Sequence, residues 1–135
     1  MKLALKPRNQ AVEEIRRIIE EMNKNVDVVI VEGVHDESVL RSLGYRGEIL
    51  KFSSFRGVLS ISDFLEREFS RKSVLILTDY DRRGEMINKR IKKALESSYV
   101  KIEERLRKEL KILLLKYSMK TIEEAREFVN YSEFL

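Results

Sequence analysis

Cysteine and tryptophan are absent from this 135-residue chain, and proline and histidine occur once each. Without cysteine there is no disulfide, no thiolate nucleophile and no thiolate-bound metal. The single histidine, His35, excludes a multi-histidine zinc site. Apolar runs reach only four residues, as at 28–31 and 112–115. That is far short of the roughly 20 needed to cross a bilayer. The first residues lack the apolar stretch of a secretory signal. These absences lead us to expect a cytoplasmic protein with no membrane span.

Hydrophobic residues make up 43% of the chain, enough for one folded domain over residues 1–135. Charged residues reach 37%, against a usual quarter. Lys, Arg and Glu dominate, in the ion-pair-rich manner of thermophilic proteins. The net charge of +4 is unevenly placed. Residues 1–85 carry 15 basic and 15 acidic side chains, whereas residues 86–135 carry 12 and 8. A basic excess of this kind suits a polyanion, and it equally suits a solvated helix face laced with i,i+4 pairs.

Hydrophobic spacing predicts a helix over 9–24, where Ala11, Ile15, Ile18 and Met22 share a face. Short apolar runs at 26–31, 49–52 and 73–78 read as strands, and 99–102 as a short edge strand. Helices are expected at 36–43 with Asp36 as N-cap and Gly44 as stop, and at 60–69 with a Ser60–Asp63 capping box. Further helices are expected from Gly84 to about 95, over 103–117, and over 121–129 behind a Thr121–Glu124 capping box. Strands alternating with helices imply an α/β fold with a parallel sheet covered on both faces.

Two of these strands end in acids. Glu32 follows the first; Asp79 and Asp81 follow the third. In open α/β sheets the site lies beyond the carboxyl ends of the strands, so these acids belong to the functional edge. The i, i+2 spacing of Asp79 and Asp81 directs both side chains the same way on an extended backbone. Three carboxylates meeting there would repel one another, and a bound cation relieves that cost. An all-oxygen donor set selects Mg²⁺ or Mn²⁺ over zinc. Gly33 and Gly84 stand beside acids at strand-to-helix turns, where glycine allows positive φ or a close backbone approach. The helix start after Gly84 offers N–H groups to a phosphate, and Arg82 and Arg83 offer bidentate clamps.

Val31-Glu32-Gly33 followed by Asp79-x-Asp81-x-x-Gly84-Glu85 resembles the Toprim signature. That domain occurs in type IA and type II topoisomerases, bacterial-type primases, OLD-family nucleases and small ribosomal-RNA maturation nucleases. Thr78 to Glu85 is close to the topoisomerase form, and Glu32-Gly33-x-x-Asp36 to the maturation nucleases and short archaeal Toprim proteins. The resemblance covers about residues 26–100, with the helix at 9–24 before it and a helical extension at 103–131 after it. It implies a Rossmann-like Toprim fold with a parallel sheet of about four strands. It also implies Glu32 as general acid/base and a metal held by Asp79 and Asp81; the reading of the residues adds Glu32 to those ligands and Arg83 to the catalytic groups. Gly33, Asp36, Gly84 and Glu85 would stand behind these ligands, Glu85 either as an outer ligand or as a partner of the turn.

The resemblance has departures. A topoisomerase needs a tyrosine-bearing domain, a primase needs template modules, and an OLD enzyme needs an ATPase; 135 residues leave no room for them. The expectation is a Mg²⁺-dependent endonuclease or ribonuclease acting on RNA or DNA. The alternative is a non-catalytic nucleic-acid-binding or adaptor subunit of a processing complex, as monomer or dimer. Arg82, Arg83, Arg56, Lys89, Arg90 and Lys93 are the expected nucleic-acid contacts, with Lys92 on the same helix and Ser53 and Ser54 as a loop lining the site. His35 reads as an exposed turn residue or a substrate contact. Tyr99, Tyr117 and Tyr131 read as core or rim aromatics. A G-x-G-x-x-G dinucleotide fingerprint after the first strand is missing.

Overall fold

The computed structural model describes residues 2–119 and 121–133. In chain order the elements are α1 (Lys2–Asn25), β1 (Val28–Val31), α2 (Val34–Ser42), β2 (Glu48–Lys51), α3 (Val58–Glu68), β3 (Ser73–Ile76), α4 (Arg82–Ala94), β4 (Lys101–Ile102), α5 (Arg105–Lys116) and α6 (Ile122–Glu133). A 3₁₀ turn at Phe52–Ser54 follows β2. All strand pairs are parallel, in the order β2-β1-β3-β4. The expected parallel four-stranded α/β sheet is therefore present, with 99–102 contributing its short edge strand.

The strand period of two explains the layers. Val29 and Val31 of β1 and Leu75 of β3 face one side, packed with Ile15, Ile19 and Met22 of α1, Val39 and Leu40 of α2, Leu106, Leu110 and Leu113 of α5, and Ala125 and Val129 of α6. Val28, Ile30, Val74 and Ile76 face the other side, against Ile61 and Leu65 of α3 and Ile87 and Ile91 of α4. Every residue of β1 is fully buried, as the central strand of a doubly covered sheet must be.

Helix starts differ from the sequence expectation where a second capping residue competes. Helix α2 starts at Val34, so Asp36 is its third residue rather than its cap, and its carboxylate accepts the Gly33 N–H at 3.2 Å. Helix α3 starts at Val58 behind Gly57, and the Ser60–Asp63 box does not form. Helix α4 starts at Arg82, two residues before Gly84, because Asp81 caps it. Helix α1 begins at Lys2 rather than at residue 9. Two expectations hold as read. Gly44 ends α2 with φ +104°, a left-handed conformation natural to glycine. The Thr121 hydroxyl accepts the Glu124 N–H at 3.2 Å before α6.

The chain leaves β1 toward β2, crosses back over β1 to β3, and continues outward to β4. The direction reverses between β1 and β3, and ligand crevices of open α/β sheets form at such a switch point. Glu32 and Asp79 sit beyond the carboxyl ends of these two strands. Among the described residues no helix is long and apolar enough to cross a membrane.

Candidate metal and nucleic-acid site

Glu32 and Asp79 meet across the switch point. The Glu32 side chain is only 15% exposed. Its Oε2 accepts the Asp79 N–H at 3.4 Å, and its Oε1 lies 3.4 Å from Nη1 of Arg83. Burial pushes the Glu32 carboxyl up to about 7. A hydrogen bond with the Asp79 side chain and the Asp79 charge push the same way, against the Asp79 N–H and Arg83. Glu32 is thus poised to hold or release a proton near neutrality. Asp36 is raised above the ordinary aspartate range by burial, with the Asp79 charge adding and the Gly33 N–H opposing.

Asp81 has a different position. Its Oδ1 accepts the Gly84 N–H at 2.7 Å, which fixes the first turn of α4. The Oδ2 oxygen is the one it could offer to an ion. Among the described residues no group of three or more His, Asp or Glu side chains is arranged to hold a metal. The two acids that meet are Glu32 and Asp79, because the cap claims Asp81.

The glycines differ too. A Cβ on Gly84 would stand 1.9 Å from the Asp79 carbonyl oxygen, so α4 approaches the Asp79 backbone as only glycine allows. The buried Thr78 hydroxyl donates to the Gly84 carbonyl at 2.7 Å and closes this turn. A Cβ on Gly33 would meet nothing nearer than Ser53 Oγ at 3.8 Å. Neither glycine has positive φ. Close approach alone explains Gly84, and no steric need explains Gly33.

Sequence reasoning missed Arg107 of α5. This arginine is buried, at 6% exposure. Nη1 donates to the carbonyls of Ile76 at 3.0 Å and Thr78 at 2.8 Å, and Nη2 to that of Asp79 at 3.3 Å. Nη2 also pairs with Glu85, and Lys111 stands 3.7 Å from the same carboxylate. The guanidinium lies 4.5 Å from the Tyr80 ring centre, and the Tyr80 hydroxyl donates to the Arg107 carbonyl at 2.8 Å. Burial works to raise the Glu85 carboxyl, but the hydrogen bond and charge of Arg107 outweigh it and hold it below the ordinary range. Glu85 is therefore the partner of the turn rather than a group at the acid pair. The only sequence signal was that Arg107 stands at helical spacing from Leu110 and Leu114, on the apolar side of a predicted helix.

The family model of the Toprim domain matches residues 27–113. The chain belongs to the Toprim family. Its relatives include UPF0292 proteins from archaea. That of Pyrococcus horikoshii is 37% identical over 107 residues, covering 79% of this chain and 77% of its own length. That of Methanocaldococcus jannaschii is 30% identical over 125 residues, covering 91% and 95%. A solved structure described as a putative protein from Aquifex aeolicus superposes with a TM-score of 0.62 at 28% identity, covering 83% of this chain and 94% of that one.

Toprim domains bind a divalent metal, typically Mg²⁺, in nucleic-acid-related work. The acid pair fits such an ion on its own chemistry. All its donors are hard oxygens, and the half-buried carboxyls of Glu32 and Asp79 share a repulsion that a cation relieves.

Among the described residues, Arg83 is the basic side chain that touches the carboxylates of this acid pair, through Glu32. Arg82 and Arg83 are exposed in the first turn of α4, Arg83 at 70%. Lys89, Arg90 and Lys93 are exposed further along the same helix. Arg56 and Arg90 line one open groove of about 470 Å³ with Gly57, Val58, Leu59 and Ser60. Lys92 turns away to an ion pair with Glu104. Ser53 and Ser54 are exposed, and the Ser53 N–H donates to the Glu32 carbonyl at 3.0 Å. His35 is exposed and pairs with Glu123 of α6 at 3.0 Å. Tyr99 is exposed under the Arg71 guanidinium, Tyr117 packs on the core, and the Tyr131 side chain lies outside the described residues.

Proposed function

We propose that this protein is a small Mg²⁺- or Mn²⁺-dependent endonuclease of Toprim type that acts on RNA or structured nucleic acid. The observation that carries the reading is the Glu32–Asp79 pair at the switch point, where the Glu32 carboxylate meets the Asp79 N–H at 3.4 Å. Glu32, Asp79 and the free oxygen of Asp81 would hold the ion. When bound, the ion supplies charge neutralisation at the scissile phosphate and orients a water. Glu32 then moves the proton that the reaction displaces. Arg83, already 3.4 Å from Glu32, swings between that carboxylate and a phosphate oxygen. Arg82 and the start of α4 receive the same phosphate, while Arg56, Lys89, Arg90 and Lys93 follow the backbone on either side.

A second reading is a nucleic-acid-binding or adaptor subunit without cleavage. The capping role of Asp81 favours it, since that role withdraws one oxygen from the metal. One experiment separates the two. The protein is incubated with labelled single- and double-stranded RNA and DNA in Mg²⁺, Mn²⁺ or EDTA, beside Glu32→Gln and an Asp79→Asn/Asp81→Asn double variant. The nuclease reading expects metal-dependent cleavage that both variants abolish. Salt-sensitive binding that ignores EDTA, with no cut in any substrate, establishes the adaptor reading instead.

A further inference from the structure

We infer that Arg107 is the positioning residue of the metal site: it sets where Asp79 stands by acting as the missing edge of the sheet. The inference rests on the metal reading above. Strand β4 is two residues long, and its last pairing with β3 is Val74 with Ile102. The Glu103 N–H still reaches the Val74 carbonyl at 2.8 Å. Beyond that point β3 has no strand on this side, although its backbone runs on through residue 79. The carbonyls of Ile76 and Thr78 follow that of Val74 at the two-residue period, so they face the same open edge. Left bare in a buried place, each would cost as much as a lost hydrogen bond.

Arg107 fills the gap. Its Nη1 takes the Ile76 and Thr78 carbonyls at 3.0 and 2.8 Å, as the next two rungs of a ladder would, and its Nη2 reaches the Asp79 carbonyl at 3.3 Å. The opposite side of the same segment is held by β1, through the Leu77 N–H to the Ile30 carbonyl at 2.7 Å. Asp79 is therefore fixed from both sides at the place where it meets Glu32. Glu85 balances the buried guanidinium charge, and Tyr80, between the two aspartates, lies against the guanidinium and is tied to α5 by its hydroxyl. The final glutamate of the Toprim motif thus serves the acids through Arg107, which bridges its carboxylate and the Asp79 carbonyl. Lysine cannot replace this fork, because one ammonium on a flexible stem cannot span three carbonyls and a carboxylate.

The test is Mn²⁺ affinity measured by calorimetry on the whole chain, at a temperature where circular dichroism shows each variant folded. The variants are Arg107→Lys, Glu85→Gln and, as a core control on α5, Leu110→Ala. Wild type binds Mn²⁺; Arg107→Lys should weaken binding at least about 10-fold, or about 1.4 kcal/mol. Glu85→Gln should weaken it about 3-fold, and it decides the matter if Arg107→Lys fails to fold. Leu110→Ala should lower the melting temperature and leave the affinity unchanged. Wild-type affinity in the folded Arg107 and Glu85 variants makes Arg107 a stabilising residue only and overturns the inference, leaving the metal reading intact. An equal loss in Leu110→Ala overturns it as well. A wild-type chain that takes up no Mn²⁺ ends the metal reading itself, and this inference with it.

Discussion

Replacing Glu32 with glutamine should make the metal-free protein more stable at pH 8 while removing its response to Mg²⁺. The magnitude comes from the carboxyl's displacement from 4.5 to about 7. Taken in full, that shift corresponds to about 3 kcal/mol. The carboxyl lies at the rim of the sheet with exposed Arg83 beside it, so solvent screening reduces the effect to about 1–2 kcal/mol. The sign follows from proton counting. Between pH 4.5 and 7 the folded chain keeps a Glu32 proton that the unfolded chain has released, so this group's contribution to stability is fully present below 4.5 and lost as pH rises through 7. Glutamine does not titrate. In EDTA the variant should therefore match wild type at pH 4 and exceed it at pH 8, by roughly 3–8 °C in melting temperature. Losing the exposed contact with Arg83 costs less than about 1 kcal/mol and does not reverse the sign. At 100 times its dissociation constant, Mg²⁺ should then stabilise wild type by about 2.7 kcal/mol and leave the variant unmoved. A variant less stable than wild type in EDTA at pH 8, or a difference that ignores pH, refutes the picture of two half-buried acids held together at a cost.

Three further outcomes are expected. Gly84→Ala should destabilise by about 3–5 kcal/mol in urea denaturation, because its Cβ meets backbone 1.9 Å away rather than a side chain that can yield. Asp81→Ala should cost about 1 kcal/mol of stability through the lost cap, and substrate cleavage with it; full activity with the stability loss would restrict Asp81 to capping. Replacing Lys89, Arg90 and Lys93 together by alanine should lower the salt slope of nucleic-acid binding by about 2 units, read by fluorescence anisotropy from 50 to 200 mM salt, without changing Mn²⁺ affinity.

The two central strands were legible because β1 is pure Val and Ile and β3 is Val, Leu and Ile after Ser73, and a buried parallel strand admits little else. The position of Glu32 and Asp79 followed from the same fact: an acid directly after such a strand lies at the carboxyl edge of the sheet. Helix starts were read less well, and the reason is local competition. Asp36, Gly57, Ser60, Asp81 and Gly84 all have capping chemistry within a turn of one another or of an acid, and sequence spacing does not rank them. At α2 Asp36, third in the helix, reaches back to the Gly33 N–H, so Gly33 takes the cap position expected for Asp36; at α4 the aspartate itself won.

Asp81 shows why a motif can be read correctly and its geometry missed. The spacing of Asp79 and Asp81 directs two side chains alike only while the backbone stays extended, and the chain turns into α4 at Asp81. A carboxylate at a helix start has a nearby N–H to accept, worth about as much as any single contact on a surface. The cap claims one oxygen of Asp81 and leaves the other for the ion proposed above. Arg107 is the opposite case, a residue with no motif around it. Its need arises from β4 stopping after two residues, which leaves three carbonyls of the Asp79 segment without a strand. That deficit exists only once the strands are laid side by side, so it belongs to the fold rather than to any stretch of sequence.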